Sequence, residues 1–175
     1  MGVALISAFI SASVAFSVLA ISQWIIHRRE RSRLLLDKLE ELYLLLLQLG
    51  TRNMERGETA MVAAMQKAPL PKWHFDSMEK MLMADLLEKL EMLIEFYFPP
   101  LLDNMPRLFD ANRDCTPIIL TSVGKITPYE TVNAKLRAVA DELAVLKQRV
   151  LSERAELIKA WRAEIVAWFR RHCYG

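Results

Sequence analysis

The placement of charged and apolar positions divides the chain before any motif is sought. Residues 3–26 contain no Asp, Glu, Lys or Arg, a run of roughly 24 positions where a bilayer-crossing helix needs about 20. His27-Arg28-Arg29-Glu30-Arg31-Ser32-Arg33 follows at once. Lys and Arg concentrate on the cytoplasmic side of a span, so the pattern predicts a transmembrane anchor over 1–26 and a cytoplasmic helical domain over 27–175. A secretory signal peptide carries its positive charge ahead of the apolar run; here the charge comes after it. The same asymmetry predicts a single-pass protein of the cell (inner) membrane with its N-terminus outside and its C-terminal domain in the cytoplasm. Arg28, Arg29, Arg31 and Arg33 are then membrane-interface residues at the headgroups.

Neither Pro nor Gly separates this basic collar from residues 34–49, and the anchor helix is predicted to continue as one rod. Leu35, Leu39, Leu42, Leu46 and Leu49 recur at alternating four- and three-residue steps, the seam of a coiled coil or bundle helix. Gly50 is a stop signal, with a weaker helix resuming over 51–68 around Met54, Met61, Val62 and Met65. Pro69-Leu70-Pro71 ends it. Asp76 with Glu79 reads as the capping box of a new helix. Its apolar set is Met78, Met81, Leu82, Leu86, Leu90, Leu93 and Ile94, and it stops before Pro99-Pro100. A short helix interrupted near Pro106 is expected over 101–113. Residues 115–126 are the least helical stretch, and 116–121 reads as a short extended segment. Linker-like breaks therefore fall near 69–72 and 99–127.

The last helix has the most complete start signal: Thr127 as N-cap, Pro128 in the first turn and Glu130 behind it. Neither Pro nor Gly follows until Gly175. Val132, Leu136, Val139, Leu143, Leu146 and Val150 hold a strict heptad seam, which Leu157, Trp161 and Trp168 extend less strictly. A helix this long either pairs with another chain along its length or kinks near Ser152. The fold class expected is all-α: one N-terminal transmembrane helix leading into a helical bundle or coiled-coil-like domain with a long C-terminal helix.

Composition adds exclusions. The net charge is +2, so no broad nucleic-acid surface is implied and no nucleic-acid partner is expected. Cys115 and Cys173 are far apart in a chain expected to face reducing cytosol, which argues against a disulfide. The sequence has no GxxxxGK[ST], GxGxxG or HExxH, and none of His27, His74 and His172 has a Glu three positions before it. No catalytic residue, cofactor or metal ligand is assigned. Asp85, Glu88, Glu91 and Glu95 read as the solvated face of their helix. Met78, Met81, Met83 and Met92 read as core fillers before a recognition groove, and Trp161, Ile165 and Trp168 as core before a nucleobase platform. His74, between Trp73 and Phe75, reads as a packed residue before a pH sensor.

Membrane helices associate where small residues admit close approach. Ala4, Ala8, Ser11, Ala15 and Ser22 fall along one seam of the anchor, with Leu35, Leu39, Leu42 and Leu46 continuing beyond the collar; these are the self-association candidates. The function expected is a membrane-anchored helical interaction or scaffold protein. Its expected partners are membrane lipid and either further copies or another membrane protein. A membrane-perturbing effector of a bacterial defence or toxin system is the alternative, and an enzyme with an unrecognised site is a third reading.

Overall fold

A computed structural model describes the backbone of residues 2–67, 83–122 and 125–173, and their side chains apart from those of 2–11, 168–169 and 171–173. The described residues form an all-α helical bundle. Helix α1 spans Gly2–Gln66, about 97 Å at the usual rise. Helix α2 spans Ala84–Tyr97, a 3₁₀ turn covers Pro99–Asn104, α3 spans Met105–Thr121 and α4 spans Tyr129–Cys173.

Helix α1 runs from the apolar segment through the collar and past Gly50 without a break. Glycine at position 50 forfeits about 1 kcal/mol against alanine, too little to end a helix held on both sides of it by packing. The helix stops at Lys67, which takes a positive φ of 50° just before Ala68-Pro69. The capping box at Asp76 and Glu79, the Pro69-Leu70-Pro71 boundary and His74 lie outside the described residues. Helix α2 ends where expected: the Phe98 amide closes on the Ile94 carbonyl at 2.8 Å, and the two prolines continue as a 3₁₀ turn.

The expected extended segment at 116–121 is instead the last part of α3. Pro117 removes one ladder donor, yet it lies on the exposed side, while Cys115 and Ile119 on the other face are fully buried. The Thr116 hydroxyl donates to the Asn112 carbonyl at 2.8 Å, and the Ser122 hydroxyl closes on Ile118 at 3.0 Å. Packing on one face thus outweighs a poor local propensity. Within the break predicted over 99–127, the described residues form the 3₁₀ turn and α3, and only Ser122 and residues 125–127 among them lie outside helical structure.

Helix α4 continues through Ser152, and its partner is α1 of the same chain. The Asn53 side chain reaches Leu136, Lys147 lies over the Tyr43 ring and Arg28 pairs with Glu164, so the two helices are antiparallel. The two leucine and valine seams meet: Leu39, Leu42, Leu46 and Leu49 are buried, as are all six members from Val132 to Val150. Helices α2 and α3 close the sides, contributing Leu86, Leu90, Ile94, Leu108 and Ile119. Exposed ion pairs bind the margins, Arg52 to Asp85 at 2.7 Å and Lys135 to Asp114 at 3.0 Å. The hydrogen bond and charge of Lys135 hold the Asp114 carboxyl below its ordinary pKa.

Among the described residues no helix is long and apolar enough to cross a membrane. The side chains of residues 3–11 lie outside those residues, and the described remainder of the charge-free run, 12–26, is shorter than the about 20 positions a span requires.

Candidate functional site

The core ends well before the two long helices do. Among the described side chains, the first fully buried residue on α1 is Leu39 and the last on α4 is Val150. Beyond them the helices project as an antiparallel pair, tied by a 3.0 Å contact between Arg28 and Glu164 that is half exposed on both sides. The Arg28 guanidinium also stands 4.7 Å from the Trp24 ring centroid. Exposed contacts of this kind contribute little to stability.

On the α1 side of this projection the described side chains ahead of the collar are mostly apolar. Val14, Phe16, Val18, Leu19, Ile21, Trp24, Ile25 and Ile26 are all exposed, Phe16 at 73%. At about 100° per residue these positions lie on every side of the helix. Ser17 and Ser22 turn their hydroxyls back to the carbonyls of Ser13 and Leu19 at 2.8 and 2.9 Å, so the polar groups are satisfied within the helix. An apolar surface of this extent is uncommon on the outside of a folded chain.

The predicted site residues divide into groups. Ala15 and Ser22 lie on the exposed projection, and the side chains of Ala4, Ala8 and Ser11 lie outside the described residues. Leu39, Leu42 and Leu46 are buried in the core of the same chain, with Leu35 packed at its edge. These four are therefore occupied within the chain, since α4 presents a matching seam that covers them. Arg29, Arg31 and Arg33 are exposed, and Arg28 makes the contacts just described. Trp161 and Ile165, expected in the core, are exposed at 43% and 38%, because α4 has outrun its packing partners there.

A second surface lies at the side of the bundle. Lys38, Glu41, Leu44, Leu45, Gln48, Lys89, Met92, Leu93, Phe96 and Tyr97 line an open cleft of 720 Å³ between α1 and α2. Met92 and Phe96 are exposed at 53% and 74%, whereas Met83 is buried.

The far half of α1 holds a constellation that hydrophobic periodicity did not indicate. Its inward face is Asn53, Arg56, Gly57, Ala60, Ala63 and Ala64, and Met54, Val62 and Met65 point outward. Arg56, only 2% exposed, donates from Nε and Nη2 to Asn53 Oδ1 at 3.2 and 2.9 Å and from Nη1 to Asn112 Oδ1 at 2.9 Å. Asn53 in turn donates to the Leu136 carbonyl at 3.2 Å. Burial lowers the guanidinium's pKa, an effect that Cys115 opposes, and burial raises the Cys115 thiol. A guanidinium held by two neutral amides beside a neutral thiol has no nucleophile or base within the arrangement. It joins α1, α3 and α4 and is structural. The only sequence signal for it was an arginine and an asparagine within a run of small residues.

Asp85, Glu88, Glu91 and Glu95 are exposed, as expected of a solvated face. Among the described residues no three His, Cys, Asp or Glu side chains are grouped to hold a metal ion.

Comparison with protein families, with curated proteins and with solved structures finds no match to this chain. Fold and surface together define its class: an antiparallel helical bundle whose two longest helices extend past the core, with an apolar surface on the α1 member over residues 12–26.

Proposed function

We propose that the protein is a membrane-anchored helical interaction or scaffold protein, with residues 1–26 as its anchor and the bundle held at the cytoplasmic face. The observation that carries this reading is the apolar surface on all sides of residues 12–26, at the free end of the helix that also builds the core. Exposed to water, each such side chain forgoes about 1.5–3 kcal/mol of burial; in hydrocarbon that penalty disappears. The basic collar begins where the apolar surface ends, and Trp24 is placed as an interfacial aromatic. The groove at Met92 and Phe96 supplies a surface for a protein partner, and Ala15 and Ser22 remain available for helix contacts within the bilayer.

Extraction of membranes at alkaline pH tests the anchor. The full chain should stay with the pellet, and a reporter fused after Gly175 should act as a cytoplasmic one. Release into the supernatant would overturn the anchor, and a reporter active outside the cell would overturn the orientation.

A further inference from the structure

The Arg28–Glu164 contact fixes the height of α4 relative to the collar. Because the helices are antiparallel, every residue of α4 beyond Glu164 lies beside the part of α1 that precedes Arg28. Taken with the anchor proposed above, on which this step rests, the end of α4 cannot remain in the aqueous phase. We infer that the C-terminal end of α4 is a second membrane contact, an interfacial helix end that takes anionic phospholipid.

The chemistry of the segment fits that occupant. Ile165 and Val166, exposed at 38% and 51%, lie beside the exposed Ile25 and Ile26 on the neighbouring helix, and Trp161, exposed at 43%, stands about a turn back at the level of the collar. Lys159, Arg162 and Arg170 border a shallow groove floored by Ala163, Val166 and Ala167, so cations flank an apolar strip as headgroups flank acyl chains. The sequence has no acidic residue after Glu164, and Glu164 faces Arg28. Charge along this end is therefore complementary to an anionic surface, which attracts each nearby Lys or Arg. From Glu164 to Arg170 the helix descends about 9 Å. That descent is along the membrane normal, beside the proposed anchor, and a long arginine side chain reaches back to the headgroups from that depth.

Spin labelling of the full chain in phospholipid vesicles tests this. Cys173→Ser removes one thiol, and the buried Cys115 is shielded from the reagent. A nitroxide is then attached at Val166→Cys, with Ala15→Cys as the anchor control and Ala144→Cys as the aqueous control. The Val166 label should be several-fold more accessible to oxygen than to a water-soluble nickel chelate in vesicles of phosphatidylcholine with phosphatidylglycerol. Arg162→Gln with Arg170→Gln should move it toward the aqueous value in those vesicles. A Val166 label as nickel-accessible as that at Ala144, beside a lipid-embedded label at Ala15, overturns the inference alone. A water-exposed label at Ala15 overturns the anchor itself. Spin–spin broadening at Val166 with protection from both reagents assigns the surface to a second copy and overturns the lipid assignment, as does an arginine pair whose replacement changes nothing.

Discussion

Arg56 shows how one buried side chain can govern the contact of three helices. Its guanidinium satisfies two amide oxygens, from the buried Asn53 and the part-buried Asn112, and removing it leaves the Asn53 acceptor buried and unpaired at a cost of about 1–3 kcal/mol, with a smaller loss at Asn112. Arg56→Ala should therefore destabilise the chain by about 2–4 kcal/mol, from the unpaired acceptors and the lost packing of its stem, in chemical denaturation followed by circular dichroism. Replacing Arg56, Asn53 and Asn112 together with leucine should recover most of that loss, since an apolar set of similar volume substitutes well for a buried polar one. A triple variant as unstable as the single one would show that hydrogen bonding is not the cause. Cys115 supplies a pH-dependent counterpart. Burial raises its thiol above the ordinary value, so above a pH of about 8.5 the unfolded chain loses this proton while the folded chain keeps it. Stability should fall as pH rises from there until the folded thiol also ionises, with a slope of up to about 1.4 kcal/mol per pH unit. Denaturation curves for Cys115→Ala should lack that component.

At the scale of elements, the signals that read correctly were those of period and boundary. The heptads of α1 and α4 and the stop before Pro99 are each set by a few neighbouring residues, and local chemistry suffices to read them. The start expected with Thr127 as cap lies slightly later, at Tyr129, where the Pro128 carbonyl accepts the first helical bonds and the Thr127 hydroxyl accepts from Ser122 instead. Two kinds of feature were not legible. Residues 116–121 have strand-like propensity, and only the burial of Cys115 and Ile119 against the bundle makes them helical. In the far half of α1, Met54, Val62 and Met65 were the conspicuous apolar residues, but close approach to α4 selects small ones instead. A Cβ on Gly57 would meet the Leu136 methyls at 2.8 and 2.9 Å, whereas one on Gly50 would meet nothing within 4 Å. Gly50→Ala should thus stabilise α1 by about 1 kcal/mol. Gly57→Ala should fall short of that gain or reverse it, by about 1–3 kcal/mol of overpacking. Equal effects in thermal denaturation would show that the helices do not meet closely at Gly57. The candidate site divides in the same way: its apolar run was visible as composition, while the α4 flank depended on a long-range register that only the assembled pair defines.

For the whole molecule, the decisive property is that α1 carries both the proposed anchor and half of the core without a joint. From Ile26 to Gln66 the rod extends about 60 Å, and nothing along that length absorbs a change of angle. Membrane helices adjust to bilayer thickness by tilting. Here such a tilt becomes the stroke of a lever: ten degrees at the membrane sweeps the far end of the bundle sideways by about 10 Å. Polarised infrared dichroism of the amide band in oriented bilayers should therefore change with acyl-chain length for the entire helical content together. A dichroism that varies only in proportion to the membrane-embedded residues would reveal a hinge at the collar. With the rod intact and residues 1–26 in a bilayer as proposed, the bilayer's thickness would become a mechanical input that sets where the groove at Phe96 stands.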